Sequence, residues 1–377
     1  MFKLLKLLLA LIIGAAFGLA IAGGIIILLT DTTLTEFADS LASQGTTPWK
    51  PIVVGVFAII FSYYALVVIH EAGHLATGLL TGYKFVSFRV ESLTFIRVNG
   101  QLRMKKFAIA GTGGQCLLSP PDVPLDKLPF AWYNWGGILA NFIAFVLVLP
   151  LMFADVHPFV KECAAIFLLF DAAVLLLNGI PMKVGGIGND AYNALRLHKN
   201  PKAMRGMIIQ LKSNAAIQNG MRPISMPDEW FETNEDTDYA NPLEVAPELM
   251  LASRYLDAKD YDKAREMMEK LYEHKEALIP LYVNEIACEL TYLYLVNDDI
   301  DRARELFDKK LKTYVETYQK VMSSKKRLLC AIALKMDGNR EKAQAVYDEL
   351  LSRQGDYLHQ GEVASDLDLM QDLLKKP

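Results

Sequence analysis

Residues 51–74 read PIVVGVFAIIFSYYALVVIHEAGH, and no charged side chain interrupts the run from Pro51 to Ile69. A helix of that length and composition can cross a bilayer. It ends in His70-Glu71-Ala72-Gly73-His74. Helical residues four apart share a face, so His70 and His74 can hold one metal ion while Glu71 stands beside it. The alternative is that these polar residues only mark where a helix meets the headgroups. Three matching residue types at this spacing, in a chain with 6 histidines, favour the metal.

The rest of the chain supplies a setting for that helix. The 377 residues leave room for two or more domains, and the hydrophobic fraction of 52% averages two unlike parts. Up to about residue 182 the chain is membrane-like, and beyond it charge is dense. A net charge of -4 gives no reason to expect a nucleic-acid partner. Cys116, Cys163, Cys288 and Cys330 form no C-x-x-C pair, which argues against a cysteine zinc site or a disulfide framework.

Four stretches are long and apolar enough to span a membrane: 7–29, 52–74, 132–154 and 163–181. The first follows Lys3 and Lys6, and Ala20-Ile21-Ala22 resembles a signal-peptide cleavage site. Gly23 to Leu29 stays apolar beyond that site, so residues 1–30 are expected to be an uncleaved anchor. Charge orients the remainder. Residues 31–50 carry Asp31, Glu36 and Asp39 against Lys50, whereas 83–130 carry Lys84, Arg89, Arg97, Arg103, Lys105, Lys106 and Lys127. Basic loops stay cytoplasmic, so the second span delivers His70 and His74 near the cytoplasmic face and the fourth returns the chain there.

Catalytic zinc takes three protein ligands and keeps one position open. At about 1.5 Å per residue, His70 lies roughly 27 Å into its span and Asp171 only about 12 Å into the fourth, which places Asp171 too near the outer side to share the metal. Asn178 and Pro181 come at the right depth, and the glycine-rich 182–190 can turn back, which makes Asp190 the expected third ligand. The competing role for Asp190 is the N-cap of a helix starting at Ala191. Glu91, in a strand-like stretch seventeen residues past His74, is the rival ligand.

Four features together resemble the site-2 proteases, a family of intramembrane zinc metalloproteases. They are HEAGH at an inward membrane end, Gly136-Gly137-Ile138-Leu139-Ala140-Asn141 in the next span, Asn178-x-x-Pro181, and the later Asp190. The likeness covers about residues 50–195. It implies that His70, His74 and Asp190 bind Zn2+, that Glu71 is the catalytic base, and that Asn141 and Asn178 hold the substrate strand or the oxyanion. Interhelical hydrogen bonding is the competing role for both asparagines. The chain departs from the family pattern at Ile138, where proline is usual, and at Ala191, where glycine is usual. It also places eight residues between Pro181 and Asp190 where four are usual.

Between the second and third spans, Leu93–Val98 and Gln101–Phe107 flank Asn99-Gly100, a strong hairpin signal. The resemblance implies a sheet lying against the membrane there, whose edge could pair with an unwound substrate. Gly111-Thr112-Gly113-Gly114 lacks the lysine and helix of a phosphate loop and reads as a flexible joint.

Residues 196–240 read as a linker with one helix. Beyond it, Asp260-Tyr261-Asp262-Lys263-Ala264-Arg265, Asp299-Ile300-Asp301-Arg302-Ala303-Arg304 and Asn339-Arg340-Glu341-Lys342-Ala343-Gln344 align without gaps, their alanines 39 and 40 residues apart. Apolar residues follow each alanine three and four places on, on one helix face. Helix pairs with a small alanine where they cross resemble tetratricopeptide repeats, whose stacks suit protein binding.

The expected architecture is therefore mainly α. An anchor at 1–30, an intramembrane catalytic core at 50–195, a linker at 196–240 and a cytoplasmic helical-repeat domain at 241–377 form a polytopic membrane bundle with a small β-hairpin region. The expected function is a zinc metalloendopeptidase of the cell membrane, in contact with membrane lipid, that cuts single-span membrane proteins or signal-peptide-derived segments. The alternative is a catalytically inactive membrane scaffold whose repeats bind a partner protein.

Overall fold

The structure is a computed structural model and describes residues 49–98, 101–107 and 112–375. The expected anchor at 1–30, the Asn99-Gly100 turn and Gly111 lie outside the described residues. The fold is mainly helical with a small antiparallel sheet. The chain divides into two compact units, Met1–His70 with Ile138–Leu177 and Glu71–Gly137 with Asn178–Pro377.

The first unit contains the start of α1 (Trp49–Leu80), the end of α2 (Phe130–Val148) and most of α3 (Pro158–Gly179). Many of its large apolar side chains are exposed, among them Phe57, Phe61, Phe142, Leu147 and Leu176, while Leu66, Ile138 and Leu168 are buried. Its buried side chains include Ser62, Asn141 and Asp171. This distribution inverts that of a water-soluble bundle. Among the described residues two helical stretches, Val53–Leu80 and Leu125–Met152, are long and apolar enough to cross a membrane. The expected span at 163–181 falls on α3, which carries Lys161, Glu162 and Asp171.

In the second unit a four-stranded antiparallel sheet is ordered β3-β2-β1-β4, from β1 (Lys84–Val90), β2 (Leu93–Val98), β3 (Gln101–Lys106) and β4 (Gly114–Ser119). The predicted hairpin is β2–β3, with Val98 paired to Gln101. Glu91, expected in a strand, sits instead in the turn between β1 and β2 with φ 52°, and its N–H donates to Gly113 O at 2.7 Å. The two flanking strands pair so closely that the chain must reverse there through a left-handed residue.

After α3 come a small hairpin, β5 (Lys183–Val184) and β6 (Ile187–Gly188), then α4 (Asp190–Arg196) and α5 (Pro201–Gln218). The stretch read as a linker thus contains an 18-residue helix with nine buried residues. Gly206 on α5 lies against the Leu243 backbone so closely that a Cβ there would sit 1.8 Å from Leu243 O. The remaining helices are α6 (Pro242–Asp257), α7 (Tyr261–Glu273), α8 (Pro280–Val296), α9 (Ile300–Leu306), α10 (Lys309–Tyr318), α11 (Ser323–Ala331), α12 (Arg340–Ser352) and α13 (Gln360–Lys375).

The three aligned segments fold alike. Asp260, Asp299 and Asn339 cap α7, α9 and α12, each accepting from the backbone N–H three residues on. The residue before each cap, Lys259, Asp298 or Gly338, is left-handed, with φ of 61°, 59° and 61°. Ala264, Ala303 and Ala343 are fully buried, leaving no room for a larger side chain where the helices pack. The sheet is tied to this helical region. Gln218 donates to Val86 O at 3.0 Å, Lys105 donates to Tyr357 O, and Ile96, Phe107 and Leu358 form one apolar cluster.

Candidate metal centre

Helix α1 presents His70 and His74 one turn apart, and each imidazole is oriented from outside the helix. His70 Nδ1 lies 2.7 Å from Asn141 Oδ1 on α2, and His74 Nδ1 lies 2.7 Å from the backbone oxygen of Tyr133. A carbonyl oxygen only accepts, so both Nδ1 atoms donate, and Nε2 is the atom that each imidazole can offer to a metal. Ligating histidines are held in just this way, by an oxygen acceptor on the nitrogen that does not bind metal.

The support for each acceptor is itself built. Asn141 is fully buried and its Nδ2 donates to Asp171 Oδ1 on α3 at 2.9 Å. Both ends of the Asn141 carboxamide are therefore engaged between His70 and Asp171, the interhelical role. Tyr133 is fixed by its hydroxyl, which donates to Cys116 O on β4 at 2.6 Å, and by stacking on Tyr83 with ring centroids 5.1 Å apart. Gly136, one turn further along α2, sits where an added Cβ would be 2.4 Å from Gly73 O. Glycine at both places lets the helices meet backbone to backbone and brings Tyr133 O to His74.

Asp190 completes the cluster. Its Oδ2 lies 3.4 Å from His74 Nε2, and the ligand atoms of His70, His74 and Asp190 all lie within 4.8 Å of one another. Tetrahedral ligands about 2.0–2.1 Å from zinc stand roughly 3.3 Å apart, so the His74–Asp190 separation suits such an ion. Two imidazoles and one carboxylate are also the donor types of a hydrolytic zinc site. Glu91 is not part of this cluster, and neither is Asp171, which acts one residue removed through Asn141.

The eight residues between Pro181 and Asp190 are accommodated by the β5–β6 hairpin. Gly185 and Gly186, with φ of 58° and 86°, make its turn, and Asn189 N–H donates to Met182 O at 3.0 Å. The extra length is looped out. Asn189 also caps α4, its Oδ1 accepting from Tyr192 N–H at 3.0 Å, so the capping role considered for Asp190 is taken by its neighbour.

Glu71 is 8% exposed, immediately after His70. Arg89 is 1% exposed and donates to Glu91 O, Thr112 O, Thr112 Oγ1 and Gly114 O. Burial lowers the pKa of its guanidinium, offset by the carboxylates of Glu71 and Glu91. Sequence reasoning counted Arg89 only as a loop charge, and Tyr133 and Asn189 were not singled out. Arg89 carries no local pattern, Tyr133 orients His74 through a backbone oxygen that any residue type supplies, and Asn189 acts through a side-chain cap next to Asp190, an equally good capping type. Asn178 ends half-buried in the last turn of α3.

A scan of known protein families and searches of curated proteins and of solved structures return no match to this chain.

Proposed function

We propose that the chain is an intramembrane zinc metalloendopeptidase of the site-2-protease type, cutting membrane-embedded or signal-peptide-derived segments. The observation that carries this reading is the convergence of His70, His74 and Asp190, with both imidazoles held through Nδ1 by oxygen acceptors. The exposed apolar surface of the first unit supports a multi-pass placement in the cell membrane, and the basic loop charges support a cytoplasmic C-terminal domain. The helical repeats are the surface offered to a partner protein.

A Zn2+ ion held by His70, His74 and Asp190 would supply Lewis acidity toward the scissile carbonyl and would lower the pKa of its water to about 7. Glu71 accepts the proton of the attacking water and delivers it to the departing amide nitrogen. Its low exposure keeps bulk water away from that transfer. Asn141 and Tyr133 hold the imidazoles in the tautomer that presents Nε2. A helical substrate must unwind first, because its carbonyls are already hydrogen-bonded within the helix.

The test is to co-express single-span substrates with the wild-type chain and with Glu71→Gln, and to measure zinc in both purified proteins. Processing by the wild type alone, with zinc near stoichiometric in both, is expected. Equal processing by the two proteins removes the enzyme, and absence of zinc from the wild type removes the metal centre.

A further inference from the structure

Two hydrogen bonds link His70 on α1, Asn141 on α2 and Asp171 on α3, all within the first unit. The far end of this chain is an ionisable side chain on an otherwise apolar stripe. Ala164, Leu168 and Asp171 are the buried residues of α3, spaced to share one helix face, and Asp171 is fully buried. Its Oδ1 accepts from Asn141 Nδ2, while Oδ2 is buried with no hydrogen-bond partner among the described residues. A half-paired carboxylate inside an apolar bundle is costly, so packing alone favours an apolar side chain at this position.

The two histidines differ in what orients them. His74 Nδ1 faces the backbone oxygen of Tyr133, which can only accept. His70 Nδ1 faces a side-chain carboxamide, whose oxygen and NH2 ends are alike in shape and exchange places by a half-turn. With the NH2 end toward His70, Nδ1 would have to accept and the proton would sit on Nε2, blocking the atom that a metal needs.

Asp171 decides between these arrangements. An ionised carboxylate accepts and never donates, so it binds the NH2 end of Asn141 and repels the oxygen end. The oxygen is thereby turned toward His70. Asn141 and Asp171 are both fully buried, so solvent supplies no substitute partner. An asparagine at position 171 could meet either end of the carboxamide and would leave the choice open.

We propose that Asp171 is a positioning residue for His70: acting through Asn141, it holds the imidazole with Nδ1 donating and Nε2 as the atom offered to a metal ion. The consequence for zinc rests on the metal centre proposed above, whereas the orientation of His70 is a property of the metal-free chain.

The test is nitrogen NMR of the full-length chain in detergent, labelled with nitrogen-15 histidine, stripped of metal by a chelator and held at mildly alkaline pH, where imidazole is neutral. The His70 signal is identified by its loss in His70→Gln. Wild type is expected to carry the His70 proton on Nδ1. Asp171→Asn is expected to shift it toward Nε2 and to weaken zinc binding by about tenfold, measured by competition with a fluorescent chelator. Combining Asp171→Asn with Asn141→Asp puts the carboxylate directly beside His70 and the carboxamide on α3. This exchange is expected to restore both readouts, which a carboxylate serving only to pack α3 would not do. A wild-type His70 protonated on Nε2, an unchanged tautomer and zinc affinity in Asp171→Asn, or a double variant no better than the single one would overturn the proposal. A wild type that binds no zinc would instead remove the metal centre, and the nitrogen signals would still report whether Asp171 orients His70.

Discussion

Met182 and Asn189 close on each other across the β5–β6 hairpin, with Asn189 N–H donating to Met182 O at 3.0 Å and Met182 N–H donating to Asn189 Oδ1 at 3.2 Å. Asn189 Nδ2 also donates to Ile180 O at 2.7 Å. This latch returns the chain to its starting point before Asp190, so the position of a candidate metal ligand depends on a turn several residues away.

That dependence separates two glycines. At Gly186 a Cβ would stand 2.7 Å from Ile279 Cγ2, while at Gly185 nothing lies within 4 Å. Gly185→Ala is expected to cost about 1 kcal/mol through its backbone conformation alone, with zinc retained. Gly186→Val is expected to displace the hairpin and weaken zinc binding. Thermal melts and zinc titrations of the two variants distinguish these outcomes; equal zinc affinity in both would show that the hairpin does not position Asp190.

Asn141 links His70 to Asp171. Asn141→Leu keeps the volume but removes the acceptor for His70 and the donor to Asp171, and is expected to lower zinc affinity about 10–100-fold. Competition with a fluorescent chelator measures this. An unchanged affinity would mean that the imidazole holds its tautomer without Asn141.

At the proposed metal centre, His74→Ala is expected to abolish zinc binding, whereas Glu71→Gln is expected to retain zinc and lose roughly 10²–10⁴-fold in cleavage rate. Metal analysis and substrate cleavage, measured on the same preparations, check the pair.

The repeat turns provide a test of backbone strain. Gly338 has φ 61° and open space around it, so Gly338→Ala is expected to destabilise the helical region by about 1 kcal/mol. At the equivalent position Lys259→Gly relieves the same conformation and is expected to stabilise by up to about 1 kcal/mol. Denaturant melts measure both, and shifts of the same sign would contradict the shared turn geometry.

Where the sheet meets α13, His359 Nδ1 lies 3.3 Å from Glu362. Burial acts to lower the His359 pKa, but the Glu362 carboxylate outweighs it and raises the value above 6.5. Burial acts to raise the Glu362 pKa, and His359, with smaller contributions from Lys325 and Arg327, brings it below 4.5. The raised histidine contributes stability below its unfolded value and loses it as pH climbs through the folded value. The lowered carboxylate contributes above 4.5 and loses it as pH falls. The stability difference between wild type and His359→Gln is therefore expected to be greatest between about pH 4.5 and 6.5 and to shrink above that range. Melting temperatures across pH 4–9 check this, and a difference independent of pH would dismiss the ion pair.

Local periodicity was enough to read several features. One helical turn places His70 beside His74, long runs without charge mark the apolar helices, Asn99-Gly100 between β-rich runs marks β2 and β3, and the spaced Ala264, Ala303 and Ala343 mark the packed helices. Each is a pattern carried by side chains close in sequence. Asp190 is expected beside the histidines from the depth of the fourth span and its glycine-rich turn, and its Oδ2 lies 3.4 Å from His74 Nε2. Tertiary structure alone decided that Tyr133 O orients the His74 ring, that Asn141 is engaged at both ends, and that Arg89 is buried. Those contacts join distant segments, partly through backbone atoms and looped-out residues, and such atoms are the same whatever the residue type, so they leave no mark in the sequence.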